Sequence, residues 1–268
     1  MCATPMLMGQ WPAAALMYRL GYIEQAEPVV YEQRSLDDLW HRRMPIIAED
    51  AGYDPNRDKD NMSKESNVKD GVNPLAYFVG PVVVKYGGDP SKSRAVDLSP
   101  YLQEDKKLIR SITGQLTMDY GRGLCMLNAP KAQGVTGFLK KGRTFKCADV
   151  EIQSGNDYAT VLVVAMDDKP LKSSGKILVQ VGTTERPLGW KTRPAQVNGR
   201  AGEEVMSFGR APWMIVNGDV TLALKNMKIT KARVLDANGM PVKEVPLATS
   251  AGRKTLKFPA DALYVVLE

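Results

Sequence analysis

The chain is short of the residues on which most site chemistry depends. It has a single histidine, His41, and three cysteines, Cys2, Cys125 and Cys147, in 268 residues. No two cysteines form a C-x-x-C pair, and a zinc centre needs about four nitrogen, sulfur or oxygen ligands at suitable spacing. The cysteine pattern therefore excludes the common structural zinc folds. There is no G-x-S-x-G, so a serine or cysteine nucleophile would have to take His41 as its base. His41 lies in "DLWHRRM", a helical setting flanked by arginines, and reads as a surface or helix-end residue.

Long runs are lacking too. The net charge is +6 and the pI about 9.1, yet no five consecutive positions are Lys or Arg. The positive residues are scattered and read as a solvated surface; no nucleic-acid motif accompanies them. The apolar start "MCATPMLMGQWPAAALMYRLGYI" is closed by Arg19, well short of the ~20 residues that span a bilayer. It has neither the basic stretch nor the A-x-A site of a signal peptide. A membrane partner is not expected.

What is present suits a globular chain. Apolar residues make up 44% and charged residues 25%, enough for a core without disulfides or a structural metal. Cys125 and Cys147 each lie in strand-like sequence and read as buried free thiols, with a disulfide between them as the open alternative. Helical patterns are confined to about the first 50 residues. Ala13, Leu16, Leu20 and Ile23 recur at helical spacing, with Pro12 suited to a first turn. "SLDDLWHRRM" begins with a Ser35 N-cap and acidic residues in its first turn. Residues 51–73 are polar and turn-rich. "LAYFVGPVVVKYGG" reads as a strand broken at Gly80-Pro81, and "LSPYLQEDKKLIRS" as a short helix with Ser99 at the N-cap and Pro100 behind it.

From about residue 111 the sequence reads as β. "QLTMDY", "LCMLNA", "GVTGFL", "TFKCADVEI", "YATVLVVAM", "KILVQVG", "EVMSFG", "WMIVN", "VTLALK", "ITKARVLD", "TLKFP" and "LYVVLE" are strand-like. Turns separate them, including the hairpin signals Asn217-Gly218 and Asn238-Gly239. Many short strands at this spacing predict a mainly β fold: an antiparallel β-sandwich, jelly-roll or immunoglobulin-like, behind a short helical and irregular N-terminal segment.

Four groups of residues are candidates for chemistry. Asp119, Tyr120 and Arg122 crowd the turn of "QLTMDYGRGLCML", where Asp119 and Arg122 are placed to pair across the hairpin end. A phosphate-cradling loop would need a following helix, and a strand follows instead. Asp54, Asn56, Asp58, Asp60 and Glu65 stand at positions 1, 3, 5, 7 and 12 of "DPNRDKDNMSKE", the oxygen-donor spacing of a calcium loop. Lys59 replaces the turn glycine at position 6, which favours a solvated acidic loop; calcium is the only cofactor suggested. Paired carboxylates for glycoside hydrolysis must stand roughly 5–9.5 Å apart in a cleft. Asp119, Asp149, Glu151 and Asp157 are of the right type, with Asp119 and Glu151 the catalytic candidates. Finally, flat aromatic rings stack on the C–H faces of sugars. Trp190 in "RPLGWKTRP" and Trp213 in "GRAPWMIVNG" have Arg186, Lys191, Arg193 and Arg210 close in sequence and are candidates for a sugar platform, with Tyr120 and Arg122 added from the earlier turn.

Longer stretches carry a resemblance. "QWPAAALMYRLGYI" and "PVVYEQRSLDDLW" resemble the last barrel helix, and the segment after it, of large bacterial (β/α)8-type glycoside hydrolases. "VDLSPYL", "SITGQLTMDYGRGLCMLNAPKAQGVTGFL", "NDYATVLVVAMDDKPLKSSGKILVQVGT", "VLDANGMPV" and "FPADALYVVLE" resemble the β-rich C-terminal region of the same proteins. The resemblance implies a division into residues 1–75, the end of a barrel, and 76–268, a β-sandwich region with two sub-sheets meeting near 155. It implies an accessory region that buttresses a catalytic barrel, an extracytoplasmic location, and polysaccharide or oligosaccharide as ligand. In such enzymes the catalytic carboxylates sit at the C-terminal ends of barrel strands. Nothing here resembles those strands, so no catalytic residue carries over. The apolar first helix is then a surface that faced barrel neighbours, and it predicts either homo-oligomers or a rearranged N-terminus in the isolated chain. The alternatives are a stand-alone small glycosidase with a carboxylate pair on the β-region, and a structural or oligomerising domain without ligand.

Overall fold

The computed structural model describes residues 8, 10–41, 43, 45–47, 71–139, 143–197 and 199–268. The calcium loop expected over residues 54–65 and Cys2 lie outside the described residues. The fold is mainly β and antiparallel, with few helices. It divides into two compact units: Glu24–Arg122, and Gly123–Glu268 together with the residues before Glu24. Among the described residues no helix is long and apolar enough to cross a membrane.

Helix α1 (Trp11–Arg19) belongs to the larger unit. Gly21, at φ 61°, ends it. The N–H of Tyr22 returns to the carbonyl of Met17 at 3.0 Å and that of Gly21 to Tyr18 at 3.3 Å. This is a Schellman closure, which needs a left-handed residue at that position. Leu20, expected on the inward stripe, falls beyond the helix and is exposed.

The smaller unit follows. Strand β1 (Val30–Arg34) precedes α2 (Leu36–Trp40), and α3 (Ala76–Val79) leads into β2 (Val82–Tyr86) and β3 (Arg94–Ala95). β1 is central, parallel to β2 and antiparallel to β3. As its sequence predicts, α2 opens on a capping box: Ser35 Oγ accepts from the Asp38 N–H at 3.0 Å, and the Asp38 carboxylate from the Ser35 N–H at 2.9 Å. The bonds from Ser35 draw the Asp38 pKa down to about 2.

Two expectations fail in this unit. The segment before Gly80-Pro81 is a helical turn, not a strand. The helix expected from Ser99 is instead a hairpin of β4 (Leu102–Gln103) and β5 (Leu108–Arg110), followed by β6 (Leu116–Asp119). Lys107 at φ 55° reverses the chain, and the Arg110 N–H reaches the Tyr101 carbonyl at 2.9 Å. The hairpin puts Ile109 into a core shared with Val29, Val30, Ile47, Ala76, Val79 and Leu98. Burial of that apolar set outweighs a weak helical preference.

The larger unit holds β7 (Leu124–Ala129), β8 (Ala132–Phe138), β9 (Arg143–Lys146), β10 (Val150–Ser154), β11 (Tyr158–Ala165) and β12 (Ile177–Thr183). These are followed by β13 (Glu185–Val197), β14 (Arg200–Ile215), β15 (Val220–Leu224), β16 (Ala232–Leu235), β17 (Pro241–Val245), β18 (Ala248–Ser250), β19 (Arg253–Lys257) and β20 (Tyr264–Leu267). Seven strands run in the order β17-β16-β20-β12-β11-β8-β7, and five in the order β18-β19-β15-β10-β9. "TFKCADVEI" is thus two paired strands, β9 and β10, rather than one. Asn238-Gly239 does turn the β16–β17 hairpin, with Gly239 at φ 83° and Asp236 Oδ1 accepting from Asn238 and Met240 N–H. Asn217-Gly218 is not a two-residue turn; it passes the chain from β14 to the five-stranded sheet.

β12 is buried along its whole length, and β11 nearly so. Such a strand needs cover on both faces. Register puts Val161, Val163 and Ala165 beside Val181, Val179 and Ile177 on one face. The five-stranded sheet covers that face with Val150, Ile152, Leu222 and Leu256. Gln133, wholly buried on the same face of β8, bonds across to it. Its Oε1 accepts from the N–H groups of Asp149 (2.9 Å) and Val150 (3.0 Å), while its Nε2 donates to Asp149 Oδ2 (3.1 Å) and the Ala129 carbonyl (3.4 Å). All four bonding positions of the amide are filled. On the opposite face, buried Gln180 accepts from the Ala13 N–H at 2.7 Å, a first-turn donor of α1 that has no partner in its own helix, and donates to the Met8 carbonyl at 3.2 Å. The Tyr264 hydroxyl donates to the same carbonyl at 2.6 Å.

Gln133→Leu keeps the volume but leaves the buried Val150 N–H and the half-buried Asp149 N–H without acceptors. It should lower unfolding stability by about 3 kcal/mol, read as a shift of the urea midpoint. Gln153→Leu, exposed on β10, should shift it by less than about 0.5 kcal/mol. Equal shifts for the two would refute the role given to Gln133.

Candidate functional site

Among the described residues β13 and β14 pair only with each other and form a two-stranded ribbon. Nearly all of β14 is exposed, including Val205, Met206, Phe208, Trp213 and Met214. "EVMSFG" and "WMIVN" are one continuous strand, and its partner β13 carries no strand signal: Pro187, Gly189 and Pro194 interrupt it, and with no buried face it needs no alternation.

The ribbon presents an aromatic cluster. Trp190 stands opposite Phe208 in the ladder, their rings edge to face with centroids 5.7 Å apart. The Arg186 guanidinium lies over the Trp190 ring, 5.3 Å from its centroid. Phe208 is 72% exposed, so the cluster's apolar surface meets solvent. The backbone is shaped to allow this. Gly209 adopts φ 67°, and a Cβ there would come within 2.5 Å of the Leu188 carbonyl oxygen and 2.7 Å of the Trp190 nitrogen. Only glycine lets the strands approach where Leu188 faces Arg210 and Trp190 faces Phe208. Trp213 is also exposed, opposite Pro187, further toward the ribbon's base. Trp190 was found by its setting in the sequence; Phe208 was missed, because in "EVMSFG" it looks like one apolar position of a short core strand.

The other candidates are placed as follows. Asp119 is buried at the end of β6, where it accepts from the Arg122 N–H at 2.9 Å and is ion-paired with the Arg122 side chain. The expected pair across the turn is therefore present, and Arg122 is committed to it. Tyr120 is 38% exposed, and its N–H bonds the Lys107 carbonyl at 3.0 Å. These three lie in the smaller unit, whereas Glu151, Trp190 and Trp213 lie in the larger. Glu151 pairs with Arg253 at 3.4 Å and Lys146 at 3.8 Å. Asp149 is engaged with Gln133, and His41 is an exposed helix-end residue paired with Asp37 at 3.0 Å. Among the described residues no group of three or more His, Cys, Asp or Glu is arranged to hold a metal.

Cys125 and Cys147 are free thiols, half-buried rather than fully buried as their strand-like sequence suggests. Burial raises the pKa of both, that of Cys147 to about 11. No family model matches the chain, and no curated protein or solved structure matches it.

The thiolate is the reactive form, so both cysteines should alkylate slowly. At pH 8 the peptides containing Cys125 and Cys147 should take up N-ethylmaleimide at least about tenfold more slowly in the native protein than in urea, followed by mass spectrometry. A raised folded-state pKa favours the neutral thiol. That contribution to stability is full below the unfolded thiol's pKa and is lost as pH climbs toward 11. Native labelling as fast as in urea would contradict the burial.

Proposed function

We propose that the chain is a carbohydrate-binding accessory region of a glycoside hydrolase, supporting a catalytic barrel domain, and that the ribbon is its ligand platform. The observation that carries this reading is the Trp190–Phe208–Arg186 cluster on a strand pair with no core of its own. A flat ring offered to solvent, with polar groups around it, suits the alternating C–H and hydroxyl surfaces of a sugar chain. The long stretches resembling the β-rich region of (β/α)8-type glycosidases supply the enzymatic context.

A second observation supports the buttressing role. α1 turns Ala13 inward, while Trp11, Ala14, Ala15 and Tyr18 form an exposed stripe at i, i+3, i+4 and i+7, with Trp11 61% and Tyr18 90% exposed. An apolar helical face of this kind suits packing against a further polypeptide body. The stand-alone glycosidase reading gains less support: each of its carboxylates, Asp119 and Glu151, is ion-paired with neighbouring cations.

In native gels containing dissolved polysaccharide the protein should be retarded, and Trp190→Ala should migrate as it does in plain gels; retardation untouched by that change would remove the ribbon from the proposal. In light scattering, the chain should self-associate through α1, and the double change Trp11→Glu, Tyr18→Glu should yield monomer. An oligomer indifferent to both glutamates would remove α1 from the contact.

A further inference from the structure

Resting on the reading of the ribbon as a carbohydrate platform, we infer that its ligand is an anionic polysaccharide, one carrying carboxylate or sulfate groups. The ribbon's cations carry the argument. Ion pairing engages three of the larger unit's arginines: Arg193 with Glu204 at 2.7 Å, Arg233 with Glu268 at 3.0 Å and Glu244 at 3.4 Å, Arg253 with Glu151 at 3.4 Å. Arg186 and Arg210 are set apart by their place beside the aromatic rings. Arg186 lies over Trp190 and spends one Nη on the Glu185 backbone carbonyl at 2.7 Å. Arg210 is the ladder partner of Leu188, two residues from Phe208, and is exposed. Among the described residues neither guanidinium has a carboxylate partner.

A guanidinium is a planar fork matched to two oxygens of one carboxylate or sulfate, and such charge-assisted bonds are about twice as strong as neutral ones. Arg186 is held over the ring, so a sugar stacked on the Trp190–Phe208 cluster would bring its charged substituent within reach of one or both forks. A neutral chain would gain the stacking alone. The excess of positive charge in the whole sequence, +6, adds attraction of the same sign over longer range.

The test is calorimetric titration of the full chain with polygalacturonate, a sulfated galactan, an uncharged galactan and a single-stranded oligothymidylate at low and moderate salt. The anionic sugars should bind at least about tenfold more tightly than the uncharged galactan, and whichever of the two binds more tightly names the charged group. Arg186→Gln with Arg210→Gln should abolish that difference. Lys228→Gln, an exposed cation outside the ribbon, should have no effect. All of these positions are exposed, and circular dichroism confirms that each variant is folded. Equal affinity for charged and uncharged galactans overturns the inference and leaves the carbohydrate platform standing. So does an equal loss with Lys228→Gln, or oligothymidylate bound as tightly as polygalacturonate; either reduces the effect to bulk charge. No binding of any polysaccharide overturns both readings together.

Discussion

Strands β11 and β12 are buried on both faces, and that single constraint organises the larger unit. A sheet with two apolar faces cannot meet water on either, so something must cover each. The five-stranded sheet takes one face and α1 the other. Each contact holds one buried amide: Gln133 toward the sheet, Gln180 toward the helix. Hydrophobic burial alone is non-directional and would allow each cover to slide. The amides fix position because each binds the backbone of the covering element, Asp149 and Val150 in one case, Met8 and Ala13 in the other. In both cases the bonds satisfy groups that would otherwise be buried unpaired.

The ribbon follows the opposite logic. Two strands alone are marginal in water. Local terms hold this pair: its own ladder, the edge-to-face contact of Trp190 with Phe208, worth about 1 kcal/mol beyond burial, and exposed pairs such as Arg193–Glu204, worth less. Gly209 permits the close strand approach at the cluster. The arrangement gives a rigid core that anchors a slender, solvated arm whose chemistry is all on display.

The contrast explains what could be read from the sequence. β8, β11, β12, β15 and β20 were legible because burial writes itself into a strand as apolar runs or alternation, as in "YATVLVVAM" and "VTLALK". β13 was not, since a strand facing water on both sides leaves no period, and its prolines and Gly189 argue against a strand at all. The β4–β5 hairpin was hidden for a different reason: "LSPYLQEDKKLIRS" carries real helix-start chemistry, and only the core around Val29 and Val79 requires Ile109 in a strand. At the site, Trp190 stood out through its loop-like, arginine-rich setting. Its partner Phe208 did not, because the pairing that joins residues 18 positions apart exists only once β13 is known to be a strand.

The exposed arm has an evolutionary consequence. Since no described side chain of β13 or β14 is fully buried, substitutions there cost the scaffold little. On the proposed reading of the ribbon as a platform, selection for foldedness acts on the amides and valines of the interior, selection for what is bound acts on the arm, and the two sets of residues scarcely overlap. Such a chain can exchange its recognition chemistry piece by piece without passing through an unfolded ancestor.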